Sequence, residues 1–222
     1  MKRSRTVDRE ATSKPTTLRL PAYLQIVRQA EKDGVLVISG TTIAEELILE
    51  PIQVRKDLAV TGIVGKPRVG YVVKDLIAAL ERFLRWDQTN PAIIIGCGNL
   101  GTALLGYAEF RMNGLNIVAA FDNDPVKVGK KYHGIKVRDI DELTPFLGKN
   151  PVTIAILSVP PHEAQEICTK VLLAGVKKVL NFASVKLRVP DGIKGVLIHN
   201  EDMSTGYAYL MVDPKVKWKK AR

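Results

Sequence analysis

Two groups of residues have the types and spacing to do chemistry. The first is Gly96-Cys97-Gly98-Asn99-Leu100-Gly101, which follows the apolar run 92–95 and leads into Ala103, Leu104 and Leu105, a helical pattern reaching towards Gly114. In such a strand, turn and helix the first glycine permits the turn and the second lets the backbone approach a pyrophosphate. The third lets helix and strand pack closely, and the helix N-terminus favours the anion. Residues 116–121 read as a second strand ending in Asp122, 21 positions beyond Gly101. An acid there accepts from both hydroxyls of an adenine ribose and repels a 2′-phosphate, so the pattern selects NAD(H) over NADP(H). The same carboxylate disfavours the other ligand such folds take, coenzyme A.

The second group is Pro51-Ile52-Gln53-Val54-Arg55-Lys56-Asp57-Leu58-Ala59, followed by Lys66-Pro67-Arg68 between Gly65 and Gly70. Val54 and Leu58, at i and i+4, anchor a helix, which leaves Gln53, Arg55 and Lys56 on other faces to reach outward. Arg and Lys read guanine edges or hold phosphates, and a Gln amide pairs with adenine.

The elements that position these groups divide at the polar stretch 87–91, which ends in Asn-Pro and separates a helical pattern from alternating β and α. Upstream, Thr17 caps a helix through about Asp33, with Pro21 in its first turn and Gly34 ending it. Thr42 and Glu45 have capping-box spacing for a short second helix, and Pro51 opens a third that runs to about Val60. Two short helices joined by a tight turn, then a basic turn and the strand 71–73, form a winged helix. A helix over 74–85, with Leu76, Ile77, Leu80, Phe83 and Leu84 on one face, closes that domain. Downstream, residues 152–157 are a strand, 158–161 a turn, a helix follows to about Gly175, and 178–180 are a strand. Ligands of an open parallel sheet lie beyond the carboxyl ends of its strands, which places Ser158, Pro160, Asn181 and Phe182 near the cofactor. The expected organisation is α/β: a winged-helix domain over 1–86, a Rossmann-like NAD(H)-binding domain over 87–200, and a C-terminal helix and basic tail over 201–222.

A small NAD-dependent oxidoreductase with a basic helical appendage is the alternative reading. Its proton shuttle would be His162, the one histidine the pattern places near a nicotinamide. Residues 91–200 suffice for a single nucleotide domain and leave no substrate domain, which makes the cofactor itself the signal. Cys97 sits at a helix N-terminus, a place that can lower a thiol pKa, although an inert small residue is the favoured reading.

The net charge of +10 does not mark the DNA-reading surface. Residues 1–20 carry six basic and two acidic side chains, 21–90 nine of each, 91–214 thirteen and twelve, and 215–222 five basic and none acidic. The excess therefore lies at the two ends of the chain, including Lys2, Arg3, Arg5 and Arg9. Two cysteines cannot build a disulfide framework, no leader opens the chain and no apolar run spans a bilayer, so a cytoplasmic protein without membrane or metal is expected.

The chain resembles the Rex family of redox-sensing transcriptional repressors of bacteria over roughly residues 16–210. The likeness rests on Leu18-Arg19-Leu20-Pro21-Ala22-Tyr23, Gln53-Val54-Arg55-Lys56-Asp57-Leu58, Gly65-Lys66-Pro67-Arg68-Val69-Gly70-Tyr71, the 96–101 loop, Ala119-Ala120-Phe121-Asp122 and Asn181-Phe182-Ala183. It implies a homodimer with C-terminal helices exchanged between subunits, whose winged helices hold a pseudo-palindromic operator and release it when NADH binds. By the same likeness Arg55 and Lys56 contact the major groove, Lys66 and Arg68 serve the wing, and Tyr107 lies close to the nicotinamide. Arg19 and Asp202 match a charged pair that links the two domains and switches partners. The chain departs from the family pattern at Ala59-Val60-Thr61, and at Gly206 in the exchanged helix, where an interior glycine costs about 1 kcal/mol against alanine.

Overall fold

The computed structural model describes residues 13–202 together with Ser204, Tyr207 and Met211. Lys2, Arg3, Arg5, Arg9, Gly206, the tail 215–222 and most of the expected exchange helix lie outside the described residues. The chain divides into two compact units, residues 1–89 with 112–114, and residues 90–111 with 115–222.

The first unit holds α1 (Lys14–Lys32), β1 (Val37–Ile38), α2 (Gly40–Glu46), α3 (Pro51–Ala59), β2 (Tyr71–Val72) and α4 (Val73–Leu84). Two helix starts differ from expectation. Ser13, not Thr17, caps α1: its Oγ accepts from the Thr16 N–H at 3.3 Å, Pro15 fits the first turn, and Pro21 falls inside the helix. The backbone bond lost at Pro21 is offset by burying Leu20, Tyr23, Leu24 and Val27. Likewise Ser39 caps α2 by accepting from the Thr42 N–H at 3.0 Å, so Thr42 is a helical donor rather than the cap. In both cases several hydroxyl residues compete, and the one preceding the buried apolar stripe wins.

Val54 and Leu58 are fully buried and join Leu20, Tyr23, Leu24, Val27, Ile43, Leu76 and Leu80 in one core. β1 and β2 pair antiparallel. Beside them, Lys66 and Gly70 exchange backbone hydrogen bonds of 2.7 and 2.9 Å, closing a hairpin over Pro67, Arg68 and Val69. Proline followed by a residue at positive φ, here Arg68 at 61°, is the type II turn pattern. The unit is a winged helix with a short basic wing.

The second unit comprises β3 (Asn90–Ile95), α5 (Asn99–Leu105), α6 (Ala108–Met112), β4 (Leu115–Asp122), β5 (Lys131–Tyr132), β6 (Ile135–Asp139), α7 (Leu143–Leu147), β7 (Ile154–Leu157), α8 (Pro161–Leu173), β8 (Lys178–Asn181) and β9 (Leu197–Asn200). The seven-stranded sheet has the order β5-β6-β4-β3-β7-β8-β9, and every pair is parallel except β5 with β6. Without the antiparallel edge strand this is the doubly wound order 3-2-1-4-5-6, which reverses direction between β3 and β7. The helix expected from the glycine loop to Gly114 is instead broken at Gly106. A side chain there would strike the His133 ring at 2.5 Å, and α6 begins two residues on. Residues 92–95 of β3 and the whole of β7 are apolar because both faces are covered. Ile93, Ile95, Ala155 and Leu157 pack with Ala164, Ile167 and Val171 of α8, while Ile94, Ala120 and Ile156 pack with Leu105 and Val137 opposite.

Candidate nucleotide cleft and nucleic-acid interface

A cleft of about 620 Å³ opens at the carboxyl ends of β3, β4 and β7, where the strand order reverses. Gly96, Gly98, Leu100, Asp122, Ser158, Pro160 and Phe182 line it. The three glycines serve three different purposes. Gly96 turns the chain at φ +93°, and a side chain on it would meet the Ser158 carbonyl at 2.6 Å. Gly98 has nothing within 4 Å of where its Cβ would stand, so there is open room for a ligand over the backbone. At Gly101 a Cβ would overlap the Gly96 carbonyl, the close approach that seats α5 on β3. Ser158 braces the turn by donating its hydroxyl to the Gly96 carbonyl at 2.8 Å.

Asp122 ends β4 at 5% exposure. Its Oδ2 accepts from the Cys97 N–H at 2.6 Å and its Oδ1 from the Asp124 N–H at 2.8 Å, while the Lys127 ammonium spans both oxygens at 3.2 and 3.3 Å. Burial alone would raise its pKa, but these donors outweigh it and hold the carboxyl below the usual carboxylate range. Lys127 is raised in turn, burial being outweighed by Asp122. The turn and the carboxylate fit a dinucleotide: room for a diphosphate over Gly98, and a fixed anion to accept ribose hydroxyls.

Other predicted residues lie elsewhere. Cys97 is buried, with its Sγ towards the Phe121 carbonyl at 3.7 Å. Burial, reinforced by the Asp122 charge, pushes its thiol up to about 11, the reverse of an activated cysteine. Asn181 is fully buried and braces the loop after β8: its Nδ2 donates to the carbonyls of Ala183 and Val185 and to Asn200 Oδ1, and its Oδ1 accepts from the Ala183 N–H. It supports Phe182 rather than lining the cleft. Neither Asn99 nor Tyr107 lines the cleft; Tyr107 is 47% exposed and donates to Glu109 at 2.8 Å. His162 is an exposed side chain outside the cleft lining, beside Glu163. Sequence reasoning missed Lys127, Ile140, Glu163, Glu166, Ile167 and Lys170, which also line the cleft. Lys127 had a readable signal, five positions beyond Asp122 in the loop after a strand. The others come from α8 and the end of β6, and only the tertiary fold brings them in.

In the winged helix, Arg55, Lys56, Lys66 and Arg68 are all exposed, as a nucleic-acid surface requires. Gln53 is tied on one side, its Nε2 donating to Asp57 Oδ1 at 2.9 Å, while the rest of the amide is left outward. Asp57 also binds Arg19, whose Nε and Nη2 donate at 2.7 and 3.0 Å. Asp202 Oδ1 accepts from the Ser204 N–H at 2.9 Å. Burial acts to raise Asp57, but the bonds from Arg19, Tyr23, Thr16 and Gln53 hold it low, while burial and Asp57 push the Tyr23 phenol up to about 12. Among the described residues no group of three or more His, Cys, Asp or Glu could hold a metal, and no helix is long and apolar enough to cross a membrane.

The sequence matches two family models, a putative DNA-binding protein N-terminus over residues 11–59 and a CoA binding domain over residues 87–185. It is 52% identical over 198 residues to the redox-sensing transcriptional repressor Rex of Treponema denticola, covering 89% of this chain and 93% of the relative. The chain belongs to the Rex family. Its identity to Rex of Desulforamulus reducens is 37%, over 92% and 96% of the two chains. Among solved structures, RSP in complex with NAD+ and operator DNA superposes with a TM-score of 0.82 at 32% identity, covering 90% of each chain. RSP in complex with NADH gives 0.82 at 32% identity, covering 90% and 92%, and a third structure describes RSP as a Rex-family repressor. The function that goes with this family is redox-sensing transcriptional repression, and the oxidoreductase alternative is not favoured.

Proposed function

We propose that this chain holds a pseudo-palindromic operator as a homodimer and releases it when NADH occupies the cleft. The observation that carries the reading is a fixed Asp122 carboxylate beside a glycine turn with open room, in one chain with a winged helix bearing exposed cations. Asp122 takes the adenine ribose, and the turn of Gly96, Gly98 and Gly101, with Asn99 and Leu100, takes the pyrophosphate. Ser158, Pro160 and Phe182 face the nicotinamide end. Tyr107 joins them in the closed state. Arg55 and Lys56 enter the major groove, and Lys66 and Arg68 hold the wing to the minor groove. Arg19 and Asp202 form the charged pair that links the domains and switches partners as the signal passes. The segment beyond residue 200 exchanges between subunits. The protein works in the cytoplasm, without a metal and away from membranes.

NADH acts only through differential affinity: moving a two-state population from 99:1 to 1:99 requires about 10⁴-fold tighter binding to the released state. RSP, a relative of this chain, was crystallised with operator DNA and NAD+ and separately with NADH, which supports two nucleotide-dependent states. A gel shift on palindromic DNA from upstream of the source genome's NADH-oxidising enzyme genes tests the reading. NADH is expected to dissolve the complex at concentrations where NAD+ leaves it intact. DNA binding indifferent to both nucleotides would overturn it.

A further inference from the structure

Asp57 joins side chains of α1 and α3 within the winged helix, and the base and phosphate contacts described above do not use it. It is 1% exposed in α3 and accepts five hydrogen bonds. Thr16 Oγ1 donates at 3.0 Å, Arg19 Nε and Nη2 at 2.7 and 3.0 Å, Tyr23 OH at 2.7 Å, and Gln53 Nε2 at 2.9 Å. The first three residues belong to α1, but Gln53 belongs to the first turn of α3 itself. A buried ion pair is weak support for stability, since apolar residues of the same volume would join α1 to α3 as well.

A carboxylate only accepts, so the Gln53 amide must turn its NH2 group to Asp57. One rotamer of the amide is selected and its flipped form is excluded. The Gln53 Oε1 takes no hydrogen bond, and among the described residues no buried side-chain oxygen is left without a partner, so this oxygen meets solvent. Gln53 is the third residue of α3, in the N-terminal turn where a recognition helix approaches base edges. We propose that Asp57 is a positioning residue for operator specificity, which fixes the Gln53 amide so that its Oε1 and remaining N–H face the major groove as an ordered acceptor and donor. That pair matches the N6 amine and N7 of adenine. It mismatches guanine, whose O6 and N7 both accept. The inference rests on the operator-binding reading and adds to it which base edge is read and what sets the reader's orientation.

The test uses the full-length protein and a palindromic operator in which each half-site position is changed symmetrically from A·T to G·C. Fluorescence anisotropy should show wild type discriminating about tenfold at one position, within the range of a bidentate base contact. Gln53→Ala should flatten that position. Asp57→Asn, whose own NH2 accommodates either amide rotamer, should flatten the same position and leave preferences elsewhere intact, and the double variant should add nothing. A folded Asp57→Asn protein that binds every operator more weakly by one factor, with the Gln53 preference intact, would reduce Asp57 to a staple between helices and overturn the proposal. The amide can also be observed directly in wild type. Its NMR cross-peak, assigned by its loss in Gln53→Ala, should exchange its hydrogens more slowly than that of the exposed Gln25. Equal exchange would overturn the tie even if Asp57→Asn did not fold. Wild type that binds no operator would instead overturn the proposed function itself.

Discussion

Replacing Asp122 with Asn should weaken the hold of the cleft on its ligand and lower stability somewhat, because an amide has one oxygen for the two backbone N–H groups that the carboxylate holds. Two ribose hydroxyls donating to an ionised acceptor are together worth about 3 kcal/mol at the low end of charge-assisted hydrogen bonds. Not all of this appears as affinity, because the four acceptor positions of the carboxylate are already taken by Cys97, Asp124 and, twice, Lys127. The diol must displace the Lys127 ammonium, a partly exposed ion pair worth about 1 kcal/mol or less. The net loss is about 2 kcal/mol, or roughly 30-fold in NADH affinity. NADPH should behave differently. With the carboxylate gone and Lys127 left at the same place, its 2′-phosphate meets a cation without an opposing anion, so NADPH binding should not fall and should rise. Isothermal titration with both nucleotides reads this, with far-ultraviolet circular dichroism as the fold control. A folded Asp122→Asn protein that binds NADH within twofold of wild type would refute the assignment of Asp122 to the ribose.

Other outcomes follow from the same geometry. Gly101→Ala places a methyl group on the Gly96 carbonyl and 2.8 Å from Ser158 Oγ, so it should abolish measurable NADH binding and lower the melting temperature, while Gly98→Ala, in open space, should leave the melting temperature within a few degrees of wild type. Cys97, buried with its thiol at about 11, should react with Ellman's reagent at neutral pH only as fast as the protein opens, so rapid labelling of native protein would contradict the burial. Both Asp57 and Asp122 have lowered pKa values in the folded state, so each contributes stability fully present above the ordinary carboxylate range, about pH 4, and lost as pH falls through the lowered value. Melting temperature should therefore drop on acidification below about pH 4, and the drop should be smaller in Asp57→Asn and Asp122→Asn; equal acid sensitivity in all three proteins would contradict the ion pairs.

What could be read in the sequence was local chemistry at fixed spacing. The glycine turn and Asp122 were legible because strand, turn, helix and strand follow one another in the chain, and the sheet brings their ends together in any doubly wound fold. Val54 and Leu58 were legible because one turn of helix puts both on one face. The helix starts were misread where Ser13 and Thr17, or Ser39 and Thr42, offer the same hydroxyl, since the choice depends on which register buries the stripe beyond. The β5–β6 hairpin was missed because its strands are short and half exposed. Asn181 was assigned to the cleft from its place at a strand end, yet alternate residues of a strand point to opposite faces, and Phe182 took the cleft. The web around Asp57 was invisible because Thr16, Arg19 and Tyr23 lie 34 to 41 residues away.

The central claim is a coupling between nucleotide cleft and operator, and thermodynamic coupling is reciprocal. The most direct measurement is NADH affinity by titration, with and without saturating operator DNA. If NADH weakens operator binding by a given factor, the operator must weaken NADH binding by the same factor, and NAD+ should show little change. An NADH affinity unaffected by saturating operator would contradict the account.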